Sequence, residues 1–264
     1  MDVDLFGTRS LLFLPASNPR AIARARDSAA DLVILDLEDA VKESDKALAR
    51  EAAVAAVAER WPMPVAIRIN GTGTEWHADD LVAVAMSDAD VLVLPMAESA
   101  EEIDGLVAVE RPVMAMIESA VGVFAAPAIA KACAGLIVGT NDLSADLRLA
   151  PDAGRGPLQT ALQMVLLAAR AGEAAAFDGV FNRLDDPDGF AAECAESRWL
   201  GFDGKSLIHP DQIAPCHAAF APTAAELDRA RRLVDAATGG AERFEGAMIE
   251  RMHVEAAERL LARS

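Results

Sequence analysis

Asp36, Glu38 and Asp39 place three carboxylates within four positions, directly after the apolar run Leu32-Val-Ile-Leu35. A continuous apolar run of this kind reads as a strand buried on both faces, and taking a carboxylate out of water costs several kcal/mol unless a cation answers it. Acids placed where a strand leaves the core therefore mark a site. The arrangement recurs: Val65-Ala-Ile67 leads into Arg68, Val113-Met-Ala-Met-Ile117 into Glu118, and Gly135-Leu-Ile-Val-Gly-Thr-Asn141 into Asp142. Acids with one arginine, and no histidine or cysteine cluster, suit a hard cation such as Mg²⁺. That ion takes one or two carboxylates, keeps several waters and leaves positions open for a chelating substrate. Any one of these acids is as readily a helix cap or a surface ion-pair partner; the set is what points to chemistry.

The elements that must position them follow from the pattern of the chain. Short Val/Ile/Leu/Met runs near 11–14, 32–36, 64–69, 91–94, 113–117, 135–138, 176–180 and 204–208 alternate with Ala-rich helical stretches. Continuously apolar strands separated by helices are parallel strands covered on both sides, and this number of units in a chain of this length predicts an α/β fold, the (β/α)8 TIM barrel. A doubly wound sheet is the alternative, because counting does not prove closure. In a barrel the C-terminal strand ends converge, which gathers Asp36, Glu38, Asp39, Arg68, Glu118 and Asp142 in one mouth. After a helical stretch from Thr223 to Ala237, residues 238–246 read as a linker and 251–262 as a final helix. The expected organisation is thus a barrel domain over 1–237 and a linker with a C-terminal extension over 238–264. That tail has no strand left to cover, so it is expected to pack on a neighbouring subunit.

Composition sets the class. The chain has 264 residues, 53% hydrophobic and 25% charged, enough to bury a large core, and a net charge of −18. Such an acidic balance offers no basic stripe to release counterions, which argues against nucleic acid or an anionic membrane as partner. The opening Met-Asp-Val-Asp lacks a basic, then apolar, leader and no run is long enough to span a bilayer, so a cytoplasmic address is expected. Cys133, Cys194 and Cys216 are odd in number and far apart, which reads as reduced thiols. Gly71-Thr-Gly73 lacks the third glycine of a dinucleotide fingerprint and reads as a loop after the third strand. His209, before Pro210, reads as a helix-entry residue more than a base, and His77, His217 and His253 have no partner spacing.

The longer motifs carry more. Arg9-Ser-Leu-Leu-Phe-Leu-Pro15-Ala-Ser-Asn-Pro-Arg20, the string Asp36-Leu-Glu-Asp-Ala-Val41 with Lys46 and Ala49-Arg50, and Arg68-Ile-Asn70 resemble the opening of the citrate lyase β-subunit-like, CoA-ester lyase family. The likeness continues, in order, through Met116-Ile-Glu118-Ser-Ala-Val-Gly122, Gly139-Thr-Asn-Asp142-Leu-Ser, Phe177-Asp178-Gly-Val and Gly201-Phe-Asp-Gly-Lys205-Ser-Leu-Ile-His209-Pro210. The Asp-Leu-Glu-Asp-Ala-Val and Gly-Lys-Ser-Leu-Ile-His-Pro strings are the specific ones.

The resemblance implies a Mg²⁺-binding TIM barrel and homo-oligomer, trimer or hexamer, that makes or breaks a carbon–carbon bond between a 2-oxo acid and the acetyl group of a coenzyme A thioester. Malyl-CoA or citramalyl-CoA is the leading substrate type. It makes Glu118 and Asp142 the metal ligands, with Asp146 a second candidate, and Glu38 and Asp39 holders of metal-bound water. Arg68 would meet the enolate charge with Asp36 fixing it, since a preorganised cation is what that intermediate needs. Glu118 and free N–H groups of the helix opening at Ser119-Ala-Val-Gly122 would hold the oxo acid. Arg9, Arg20 and Lys46 would meet the CoA phosphates. One string departs: the family's Gly-x-Met-Val/Ile-Asp, which carries an acid–base aspartate into a neighbouring subunit, is Gly246-Ala-Met-Ile-Glu250 here. The extra methylene is a displacement of the size that costs about 100-fold where near-attack geometry matters. Thioester hydrolysis, an aldolase acting on free hydroxy-oxo acids, and a non-catalytic binding paralogue therefore stand beside the lyase.

Overall fold

The computed structural model describes residues 3–262. They divide into two compact units at Ala219 and Phe220. The first runs β1 (Ser10–Pro15), α1 (Pro19–Arg26), β2 (Leu32–Asp36), α2 (Lys46–Val57), β3 (Val65–Arg68), α3 (His77–Ala85), β4 (Val91–Leu94) and α4 (Ala100–Asp104). It continues through β5 (Val113–Ile117), α5 (Ala120–Ala132), β6 (Gly135–Val138), α6 (Thr140–Asp146), α7 (Gln159–Ala171), β7 (Ala175–Asp178), α8 (Pro187–Leu200), β8 (Gly204–Leu207) and α9 (Ile213–Phe220).

Strands β1 to β8 form a closed parallel barrel in sequence order, with β1 paired to both β2 and β8. The β1–β8 pairing excludes the doubly wound sheet and makes the fold a (β/α)8 TIM barrel. Alternate residues of the strands fill its interior as one apolar cluster, Leu11, Ile34, Ala66, Val93, Met116 and Phe177 among them. Each of the larger of these side chains stabilises the fold by about 1.5–3 kcal/mol through burial. The intervening residues point outward and are also covered, which is why the strands read as unbroken apolar runs.

The helices that follow the strands at the mouth begin abruptly. The Asn18 side chain accepts from the N–H of Ala21 with Pro19 at the first position of α1, and Ser119 accepts from Gly122 at the start of α5. Capped starts keep the strand-to-helix loops short, and short loops hold the strand-end side chains at fixed places.

The second unit holds α10 (Ala224–Ala236), β9 (Glu242–Phe244), β10 (Ala247–Ile249) and α11 (Arg251–Ala262). Ala230 and Leu233 of α10 pack with Ile249 and Ala257 in a small core of their own. The division therefore falls before α10, not after residue 237, because the apolar face of that helix is spent on the tail. The segment expected as a linker is a hairpin: Phe244 pairs with Ala247 across the two-residue turn Glu245-Gly246, both residues having positive φ (48° and 86°). That is the geometry which matches strand twist in a tight hairpin.

Candidate active site at the barrel mouth

Asp36 ends β2, Arg68 ends β3, and the two are direct neighbours in register. Arg68 Nε and Nη2 each donate to one oxygen of Asp36 at 2.6 Å, a planar fork on a planar carboxylate. Asp36 also accepts from the backbone N–H groups of Glu38 (2.8 Å) and Ala40 (3.0 Å). This shapes the loop after β2 so that a Glu38 oxygen lies 2.8 Å, and Asp39 4.0 Å, from Arg68 Nη1. The guanidinium sits 5.3 Å from the Phe13 ring centroid, with Nη1 3.7 Å from Met116 Sδ. Burial works against the charge on Arg68, but Asp36, then Glu38 and Glu118, outweigh it and hold its pKa above the ordinary value. The guanidinium is a fixed cation.

The acids around it are not so well answered. Glu118, just beyond β5, is buried, and its Oε1 has no hydrogen-bond partner. Burial, opposed by Arg68 and reinforced by Glu38, Asp142 and Asp39, pushes its carboxyl up to about 8. Glu38 is pushed up to about 7, again by burial against the pull of Arg68, with Asp39 and Asp36 adding to the rise. Its Oε2 is buried and makes an ion contact with Arg68 but no aligned hydrogen bond. Asp142, exposed in the first turn of α6, is raised by burial of part of its carboxyl and by Asp39. Gly139 makes the room: a Cβ there would lie 2.5 Å from Glu118 Cγ and Oε1.

Asp36, Asp39, Arg68, Glu118 and Asp142 line a cavity of about 380 Å³, whose other side is mostly apolar, with Phe13, Leu14, Val180 and Ile208 beside Asn182 and Ser206. One arginine thus faces Asp36, Glu38, Asp39, Glu118 and Asp142. Buried carboxylates with unpartnered oxygens and raised pKa values are what a divalent cation would satisfy. Among the described residues no three His, Cys, Asp or Glu side chains converge as a ready-made cage. The donor set accordingly fits an ion that takes one or two carboxylates and completes its shell with water and substrate, as Mg²⁺ does. Asp142 lies in the cavity, while Asp146, at the other end of α6, accepts from the N–H of Ala120 at 2.7 Å and so caps α5.

The remaining expectations fare differently. The N–H of Gly122 is taken by Ser119 Oγ at 3.0 Å, and a Cβ there would meet the carbonyl of Ala97 at 2.7 Å, so Gly122 serves close packing and is not a free donor for substrate. Lys46 is buried, its Nζ donating to the carbonyls of Leu37 (2.8 Å) and Glu38 (2.8 Å) and to Asn70 Oδ1 (2.6 Å). With its donors engaged it tethers the loop after β2 to β3 and has nothing left for a phosphate. Arg9 precedes β1, at the end of the barrel away from the mouth, and is bonded bidentately to Asp31 at 3.0 Å through both contacts. Arg20, in the first turn of α1 on the mouth side, is exposed. Glu250, in the second unit, is exposed ahead of α11, its N–H donating to His253 Nδ1. His209 enters a short helical turn, its Nδ1 accepting from the N–H of Asp211 at 3.2 Å.

Sequence reasoning missed Phe13, Met116, Gly139, Asn141, Asn182 and Ser206, all at or beside the mouth. For Phe13, Met116 and Ser206 the signal was available, since alternation along a barrel strand assigns every second residue to the interior.

The chain is similar to known proteins over nearly its whole length. The family model described as HpcH/HpaI aldolase/citrate lyase matches residues 9–210. A (3S)-malyl-CoA thioesterase of Cereibacter sphaeroides is 40% identical over 271 residues, covering 97% of this chain and 94% of that protein. The citrate lyase subunit beta of Escherichia coli is 32% identical over 280 residues, covering 97% and 93%. The crystal structure of protein CitE from Mycobacterium tuberculosis, in complex with magnesium, acetoacetate and coenzyme A, superposes with a TM-score of 0.85 at 36% identity, covering 97% of each chain.

Proposed function

The chain belongs to the HpcH/HpaI aldolase/citrate lyase family, and from that membership and the mouth's geometry we propose that it is a Mg²⁺-dependent carbon–carbon lyase. Its substrate is a CoA thioester of a 2-hydroxy acid, of the malyl-CoA or citramalyl-CoA type, which it cleaves to a 2-oxo acid and acetyl-CoA. The observation that carries the reading is Glu118, a buried carboxylate with an unpartnered oxygen, raised to about 8, in the same cavity as an arginine fixed as a cation. A group whose charged form is so poorly solvated has been placed for a ligand.

Glu118 and Asp142 would hold the ion directly, with Glu38 and Asp39 on its waters. An ion held there would supply Lewis-acid polarisation to a substrate that chelates it through its carboxylate and hydroxyl oxygens. Arg68 lines the cavity with Nε and Nη2 held by Asp36, so its charge is in place to meet the negative charge that would arrive on the thioester oxygen as the C–C bond breaks. The fork with Asp36 fixes the guanidinium before reaction, so no reorganisation is needed in the transition state. Arg20, exposed on the mouth side, is the remaining candidate for the CoA phosphates. Glu250, from a neighbouring subunit of a homo-oligomer, is the candidate that exchanges a proton with the acetyl carbon.

Thioester hydrolysis is the second reading, favoured by the relative named a (3S)-malyl-CoA thioesterase and by glutamate at 250. One incubation separates the two. With (3S)-malyl-CoA and Mg²⁺, the lyase releases a 2-oxo acid, trapped as its phenylhydrazone, and no free thiol. The thioesterase releases free CoA thiol and no oxo acid. Chelation of the metal should stop either. No product of either kind, with citramalyl-CoA tested as well, would rule out both.

A further inference from the structure

Eight strands in a closed barrel put β8 diametrically across from β4. The charged groups of the mouth come from β2, β3 and the ends of β5 and β6, a crescent centred on β4. The wall at β8 faces that crescent. Along β8 the side chains alternate: Lys205 is turned outward to Asp178 and to Glu193 of α8, and Ser206 is turned into the cavity. Ser206 is 2% exposed, its Oγ has no hydrogen-bond partner, and it is set beside Phe13, Leu14, Val180 and Ile208, with Asn182, the other polar residue on that side, bonded to Asn141.

A buried hydroxyl without a partner destabilises the fold, and alanine would fill nearly the same space without that cost. The hydroxyl is therefore matched by something that enters the cavity. This inference rests on the lyase reading proposed above but not on its malyl-CoA or citramalyl-CoA choice, whose oxo carbon carries only hydrogen or methyl; on that reading the crescent takes the carboxylate and the adjoining oxygen of the oxo acid. The end left over, the substituent on the oxo carbon, points at β8. We propose that Ser206 is a specificity-determining residue whose hydroxyl hydrogen-bonds that substituent, so that the site favours an oxo acid carrying an oxygen there over one ending in an alkyl group. A site built to hydrogen-bond a substrate oxygen rejects the analogue lacking it, because its own polar group is then left unpaired.

Hydroxypyruvate and 2-oxobutyrate test this directly, since they share the chelating end and charge and differ by a hydroxyl in place of a methyl group. Each is titrated calorimetrically, with Mg²⁺, into wild-type protein, Ser206→Ala and Ser206→Thr. The wild type should prefer hydroxypyruvate; Ser206→Ala should reduce that preference about tenfold, the worth of one such hydrogen bond, and Ser206→Thr should keep it. Thermal unfolding of Ser206→Ala should be unchanged or shifted upward. A preference ratio within about twofold of wild type in Ser206→Ala, or a lowered unfolding midpoint with both ligands weakened equally, would assign the serine to structure and overturn the inference. If wild-type protein binds neither acid, it is the oxo-acid reading of the mouth that fails, and the specificity role falls with it.

Discussion

Two clusters of buried charge lie in the same barrel and are built on opposite terms. At the mouth, Arg68 faces five carboxylates, and burial wins: Glu118 is pushed up to about 8 and Glu38 to about 7. Beneath α8, Lys205 donates to Asp178 (2.8 Å), Glu193 (2.7 Å) and the carbonyl of Gly179 (2.6 Å). Arg155 pairs with the same Asp178 at 2.8 Å and with Glu196 at 3.0 Å, and Ser197 donates to Asp178 as well. There burial loses: Lys205 and Arg155 hold Asp178 down at about 2 despite its complete enclosure, and Asp178 and Glu193 keep Lys205 raised. Burial alone does not make a functional site. What marks the mouth is charge left unanswered.

The largest expected effect comes from unbalancing the satisfied cluster. Lys205→Met strands Asp178 and Glu193 and should lower unfolding stability by about 3–5 kcal/mol in a urea titration, while Glu118→Gln at the mouth should leave it equal or higher. Equal losses in the two variants would erase the distinction.

The two clusters should also give opposite pH dependences in metal-free protein. Asp178 has a folded value below its unfolded 3.8, so its stabilisation is complete above that value and is lost as pH falls toward about 2. Glu118 has a folded value above its unfolded 4.5, so stability is greatest below 4.5 and falls as pH rises toward about 8. Glu118→Gln should flatten the decline between 4.5 and about 8 and leave the acid limb below 3.8 in place, as read from denaturation midpoints across pH.

Next in size are two changes at the mouth that separate charge from position. Arg68→Lys keeps the charge but loses the fork on Asp36, and kcat should fall about 100-fold with a smaller rise in KM. A pure KM effect would make Arg68 a binding residue only. Gly139→Ala leaves every charge in place and forces the Glu118 carboxyl aside, so the barrel should fold with Mg²⁺ binding weakened and turnover lowered about tenfold or more. Wild-type turnover in that variant would show that the exact seat of Glu118 does not matter.

The eight strands and the mouth residues Asp36, Arg68, Glu118 and Asp142 were legible because strands covered on both faces leave apolar runs that stop visibly at a polar group. Arg9 was misplaced although the signal was present, since a residue preceding a strand belongs to the end opposite the mouth. Lys46 was not legible: only the fold brings the Leu37 and Glu38 carbonyls and Asn70 around its ammonium. The hairpin at 242–249 was hidden because Glu245 adopts a positive φ for which glycine or asparagine is the usual sign. The assignment of α10 to the tail depends on which of two surfaces its apolar face meets, a tertiary outcome that its own pattern does not specify.

The claim that the mouth's acids are held unpaired for a divalent cation is tested most directly by calorimetric titration of Mg²⁺ into metal-free wild type and Glu118→Gln, below and above the value of about 8 of Glu118. The account predicts that wild-type affinity rises with pH across that value, with proton release on binding at the lower pH, and that Glu118→Gln loses both the affinity and its pH dependence. Mg²⁺ binding of equal strength in the two proteins at both pH values would contradict it.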